Sequence, residues 1–463
     1  MKASSHFTPA MLSRDPGKRV AVTGILLSIA LLVSAPIYSQ AISPVNPAPF
    51  PGSDLMVTPP PVRIFAYPTE TRAEMRSNYV QLGATFGAAY IDNLYAGITS
   101  EPLHETTYSI MPTFAVDRTT TRGHTTMIFS PGFTLYQPTS LLNEMDQSGT
   151  LMYEFRLTPH SDVSISDRFV NSSTSLSPAT LEAGGTVIGT AQIVTPGIIA
   201  PFAQRLTNAA NGEFTLQTGK NSMIGASGAT SLLNYGEVSE TGGLYNSNSR
   251  SGLAFYSKRF VGTRYLGAMY EFAQIVANPS AGESVTRLET TSLFLTVYPT
   301  PNLSLSIAGG PQLYRLTQAQ SPRARDWEPT GAASMGWQGR RTSFAASYSH
   351  SITAGGGLLG AFRSDSANGA LHWQVARTWT AGASASYAIN KPVASWMVGA
   401  SSGGHTVAGV ATVEHALGRQ TAIGVDYTRL HQSYVGIAAI ASNPDSNRES
   451  VYISWHFMRP WGR

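Results

Sequence analysis

The sequence predicts an all-β chain: a transmembrane, antiparallel, up-and-down β-barrel of about 18 strands, with about 16 as the alternative, carrying short periplasmic turns and longer extracellular loops. Three observations predict it. Apolar residues alternate with small or polar ones at a period of two along most of the chain, the mark of strands with one apolar face. The other face is Gly, Ser, Thr, Ala and Gln rather than the Lys and Glu of a soluble sheet exterior, and only 13% of residues are charged. Connections alternate between short turns and long stretches rich in Gly, Ser, Asn and Pro, as expected of a barrel with two unlike ends.

Residues 293–310 show the repeating unit most clearly. Leu293, Leu295 and Val297 share one face, and Leu303, Leu305 and Ile307 do the same after a turn supplied by Pro299, Thr300, Pro301 and Asn302.

Taken in order, residues 1–41 are expected to be an export signal. Lys18 and Arg19 precede an apolar run over 20–33, and Ser39 and Ala41 fit a small-x-small cleavage site. That run is short for a spanning helix, and the mean hydropathy of −0.06 excludes a helical membrane protein. Residues 42–77 hold eight prolines and little alternation, which favours extended backbone: a periplasmic linker, with a plug or partner-binding segment as the sharper alternative. The chain has no cysteine, so no disulfide holds it in an oxidising compartment.

The barrel is expected over 78–463. Its first strand alternates from Val80 to Tyr90, and hairpins follow near 106–136, 151–165, 209–233, 250–277, 293–310, 329–351, 365–389 and 405–432. Asp167 breaks the pattern by falling on the apolar parity, and the pair near 209–233 has few large apolar residues to fix its register. The long connections are 171–207, 234–250 and 390–403. Tyr90, Tyr136, Tyr298, Tyr387, Tyr427 and Trp379 stand near strand ends, where an interfacial aromatic girdle belongs.

The last strand places Val451, Ile453, Trp455 and Phe457 on one face, expected to meet lipid, with Tyr452, Ser454, His456 and Met458 on the other. It resembles the aromatic-ended closing strand that the barrel-assembly machinery recognises in bacterial outer-membrane proteins, although residues 459–463 follow it. With LMYEFRLTPHSDVSISDRF at 151–169 and the other hairpins, the chain from about 78 to 459 resembles the porin-like outer-membrane β-barrels of Gram-negative bacteria, including barrel porins associated with exopolysaccharide export. The resemblance implies a place in the cell outer membrane, its lipids and the assembly machinery as partners, and no catalytic motif to carry over.

No hydrolase, zinc-protease, Walker or dinucleotide motif occurs, the ten histidines show no metal spacing, and 355–357 (Gly-Gly-Gly) lacks the following Lys of a phosphate loop. No enzyme, cofactor or metal site is expected. A net charge of +4 without a basic block interleaved with aromatics excludes nucleic acid as a partner. Glu154, Arg156, Glu271, His372, Gln374, Asp426 and His456 share the parity of the small residues and are expected to line the lumen; carrying both signs, they predict weak ion preference. The functional expectation is therefore a porin-like channel for small hydrophilic solutes or polysaccharide export. The alternative is a non-conducting barrel for surface display or interaction, plugged by an inward fold of the 171–207 loop. No pattern in the sequence sets an oligomeric state.

Overall fold

Period-two alternation becomes pairing wherever two such runs are joined closely enough to lie side by side. In the computed structural model, residues 56–62, 78–94, 102–174, 202–236, 245–260, 263–278, 283–318, 323–355, 358–393, 403–435 and 445–460 are described. The expected export signal and the long connection over 175–201 lie outside these residues. The strands are β1 (Tyr79–Ile91), β2 (Glu105–Thr119), β3 (Gly123–Gln137), β4 (Glu144–Thr158), β5 (Ser161–Thr174) and β6 (Phe202–Gly219). After them come β7 (Ser222–Tyr235), β8 (Ser247–Arg259), β9 (Arg264–Ala277), β10 (Ser284–Thr300), β11 (Leu303–Gln318) and β12 (Ala324–Gln338). The last six are β13 (Thr342–Gly355), β14 (Leu358–Trp373), β15 (Trp379–Pro392), β16 (Gly403–Ala416), β17 (Thr421–Val435) and β18 (Asp445–Pro460).

Every strand pairs antiparallel with its sequence neighbours, and β1 also pairs with β18 from Tyr79↔Pro460 to Ile91↔Arg448, which closes an 18-stranded barrel. An even count returns both ends of the barrel to one rim. That rim also carries the short turns, such as Pro301-Asn302 between β10 and β11, while the long connections gather at the other. We call these the turn rim and the loop rim.

The two faces separate cleanly. On β10 and β11, Leu293 (66% exposed), Leu295, Leu305 and Ile307 point outward, whereas Phe294, Thr296, Ser304 and Ser306 point inward and are buried. The closing strand follows the same rule: Ile453, Trp455 and Phe457 are exposed on the outside, with Val451 on the same parity and half-buried. The exposed apolar side chains form a continuous outer belt far larger than the patches a soluble monomer leaves bare. Closure meanwhile removes the two terminal edges of the sheet.

Three local expectations are refined. The pair near 209–233 forms in unbroken register from Arg205↔Tyr235 to Gln217↔Met223. Asp167 keeps its outward parity and accepts a hydrogen bond from Asn208 Nδ2 at 2.9 Å, so the polar residue on the apolar face has a built partner rather than marking a slip. Tyr90, Tyr387, Tyr427 and Trp379 are exposed as a girdle requires, but Tyr136 and Tyr298 turn inward. Tyr136 donates to Glu144 Oε1 at 2.6 Å, and Tyr298 stacks edge-on against Tyr265 at 5.8 Å. Tyr298 shares the parity of Phe294 and Thr296, and nearness to a strand end does not override parity.

Candidate functional site: an occluded lumen

The inner wall is mostly hydroxyl-bearing and small. Thr296 and Ser306 share a hydrogen bond at 2.8 Å, and Gln312 donates to Thr290 Oγ1 at 3.0 Å. Against this wall stand two features that alternation alone did not show.

The first is the Pro-rich stretch ahead of β1. Its described residues, 56–62, run along the inner face near the turn rim, with a short 3-10 turn at Pro60–Val62. Met56 donates its backbone N–H to Gln217 Oε1 at 3.0 Å, and Val62 is fully buried in a cluster with Met223, Phe255, Tyr265, Met269, Phe294 and Tyr298. Those side chains are inward residues of β7 to β10. Their size is the signal the sequence did carry: hydroxyl-lined wall gives way there to an apolar arc that needs a cover.

The second feature lies between β12 and β13. Their pairing runs only from Gly331↔His350 to Gln338↔Ser343, whereas β11 with β12 continues to Leu316↔Ala324 and β13 with β14 to Gly355↔Leu358. Above Gly331 and His350 the wall parts, and the loop-rim half of the β13–β14 hairpin turns into the barrel. Ile352 has the outward parity of Tyr348, yet it packs on Ala273, Ile275, Leu288 and Tyr314, inward residues of β9 to β11. Its backbone N–H donates to Gln312 Oε1 at 3.0 Å, and Arg363 forms an ion pair with Glu328 on the inner face of β12. The edge left on β12 is blunted. Pro329 has no N–H to offer, and the Trp327 N–H is taken by Asp326 Oδ1 at 2.8 Å.

Between these two features lies a cavity of about 160 Å³. Pro60 and Pro61 bound it toward the turn rim, Ser351, Ile352 and Thr353 toward the loop rim, and among the described residues Glu271 is the only charged one that lines it.

The other expected lumen residues also lie on the inward parity but are not gathered into one site. Glu154 and Arg156 stand near the β4–β5 turn, where Arg156 Nε approaches Asp162 Oδ1 at 3.5 Å. His372 is on β14, while Gln374 lies one residue beyond that strand, in the turn, with its N–H bonded to the Arg341 carbonyl at 2.7 Å. His456 is on β18, opposite Gly83. Asp426, half-buried, is paired with the buried Arg448 at 2.7 Å. Near the loop rim, Thr134 donates to Asp146 Oδ2 at 3.1 Å, and the Leu94 side chain, just past β1, is fully buried with Ile91, Tyr136 and Leu430.

No family model and no curated protein matches the sequence. Among solved structures the chain is similar to the ferric-catecholate import receptor Fiu from E. coli K12, at 8% identity and a TM-score of 0.40, covering 82% of each chain. It is also similar to OccK2 (OpdF) of Pseudomonas aeruginosa, at 11% identity and 0.38, covering 83% of this chain and 100% of that one. OccAB4 of Acinetobacter baumannii matches at 9% identity and 0.39, over 83% and 99%.

Proposed function

We propose that this chain is an outer-membrane channel for small hydrophilic solutes, held in a constricted state by two segments folded into its own lumen. The exposed apolar belt supports the membrane reading, because only lipid or detergent can cover it. A barrel of about 18 strands encloses room for an aqueous path unless something fills it. The observation that carries the reading is that the filling is local and chain-borne: residues 56–62 on one level, the upper β13–β14 hairpin on another, over a wall that is otherwise hydroxyl-lined. Export of a polysaccharide is the larger-cargo version of the same reading and requires both segments to withdraw. Outer-membrane lipids and the barrel-assembly machinery are the partners this reading implies, with residues 1–41 as the export signal.

A non-conducting display barrel is the second reading, and the occluded lumen favours it over a wide-open pore. Here the fillers are residues 56–62 and the β13–β14 hairpin; the 171–207 loop, apart from its strand ends, lies outside the described residues. Single-channel recording in planar bilayers separates the two. Native protein is expected to show small conductance steps with weak ion preference, and removal of residues 42–77 to enlarge them severalfold. Silence in both native and truncated protein, with folding verified by heat-modifiable migration, would establish the display reading instead.

A further inference from the structure

The register of the barrel wall places arginines from separate parts of the chain side by side. Arg250 on β8 lies opposite Gln274 on β9, Gln274 opposite Arg287 on β10, Arg287 opposite Arg315 on β11, and Arg315 opposite Arg325 on β12. All four arginines are exposed and all have outward parity, the parity of Leu293 and Ile307. The row spans four strand spacings, roughly 19 Å, and ends at the free edge of β12.

Like charges directly opposite one another across strands destabilise a sheet. Glu289 offsets one of them, at 3.1 Å from Arg315, and among the described residues no ion pair or hydrogen bond is made by the side chain of Arg250, Arg287 or Arg325. The row thus carries three arginines without a carboxylate partner beside the paired Arg315, a feature that asks for an anion from outside the chain. Its height narrows the choice. From Val297 to Arg287 the strand climbs about 25 Å along the barrel axis, at about 3.3 Å per residue and a tilt of about 40°, which is the height of the apolar belt of a membrane barrel. The next outward row toward the belt runs Phe272, Glu289, Leu313 and Trp327; Phe272 and Trp327 are exposed, Leu313 is buried, and Glu289 is paired with Arg315. A ligand touching the arginines together with Phe272 and Trp327 needs acid groups above and hydrocarbon below.

We infer that Arg250, Arg287, Arg315 and Arg325 form a binding ladder for a phosphate-bearing lipid of the outer leaflet. Guanidinium groups hold phosphate oxygens by paired, charge-assisted hydrogen bonds, and the row offers several along one line. The inference rests on the membrane reading above but not on what the lumen conducts.

The test uses the full-length protein in phosphatidylcholine nanodiscs, titrated with bisphosphorylated lipid A, with the same lipid after enzymatic dephosphorylation, and with inorganic phosphate. The expected result is saturable binding of the phosphorylated lipid, weakened at least tenfold by Arg250→Gln with Arg287→Gln and unchanged by Arg429→Gln, an outward arginine already paired with Asp445 at 3.2 Å. Equal binding of the dephosphorylated lipid, an unaffected double variant, or displacement of the lipid by equimolar inorganic phosphate would each overturn the inference. In lipid-free neutral detergent the double variant is expected to melt no lower than native, since repulsion is relieved. A lower melting point there would show a purely structural role and also overturn it. Insertion is scored separately by heat-modifiable migration, so failure of the membrane reading shows as no insertion, and failure of this proposal as insertion with phosphate-independent lipid binding.

Discussion

At the scale of the residue, parity decides what a substitution meets. Leu305 points outward beside Ile307, while its neighbour Ser306 is 3% exposed and bonded to Thr296. Leu305→Arg near the middle of the belt is expected to cost about 2–4 kcal/mol, measured by reversible unfolding into urea from lipid vesicles. Asp167 is the opposite case, a carboxylate on the outward face that persists because Asn208 donates to it. Asn208→Ala is expected to cost about 1–2 kcal/mol in the same assay, and Asn208→Ala combined with Asp167→Asn to recover most of the loss. These faces were legible in the sequence because an outward apolar residue and its inward neighbour sit in solvents of different chemistry. The two inward tyrosines were misplaced because an aromatic ring near a strand end satisfies an interfacial position and a buried one equally well. Only its neighbours' parity tells them apart, and Tyr298 follows Phe294 and Thr296.

At the scale of the element, strand count and hairpin order were legible, and the position of a strand relative to the wall was not. β13 alternates as regularly as its neighbours, so Ile352 reads as one more outward residue. Parity reports the side of a strand on which a side chain lies, whereas Ile352 became internal because pairing with β12 stops at Gly331↔His350 and the whole ribbon leans inward. The traces of this in the sequence are indirect: Pro329 where a paired strand would want an N–H, and an ion pair, Arg363 with Glu328, whose partners lie on strands that do not touch in an ideal barrel. The absence of native cysteine makes the arrangement easy to probe. Gln312→Cys with Ile352→Cys, bridged by a short bifunctional thiol reagent, is expected to hold the hairpin inward and abolish any conductance increase seen after removal of residues 42–77. Cleaving the bridge is expected to restore it. Full conductance with the bridge intact would mean that the hairpin does not constrict the path.

At the scale of the whole molecule, the inward charges differ in whether the path reaches them. Glu271 lines a cavity bounded by Pro60 and Pro61 toward the turn rim and by Ser351 to Thr353 toward the loop rim, on the arc where both infolded segments pack. Asp426 belongs to the opposite arc, where its charge is cancelled by Arg448. If ions pass along the wall that the two segments leave uncovered, the balance at Asp426 and Arg448 sets selectivity and Glu271 does not. Asp426→Asn removes the carboxylate bonded to Arg448 and is expected to shift the reversal potential in a KCl gradient toward chloride, with the shift shrinking as ionic strength rises and screening shortens. Glu271→Gln is expected to leave the reversal potential of the native barrel unchanged and to shift it toward chloride only after residues 42–77 are removed and the cavity joins the path. A shift from Glu271→Gln in the native barrel, with none from Asp426→Asn, would place the conducting path on the β9 to β13 side and identify the cavity as its narrowest point.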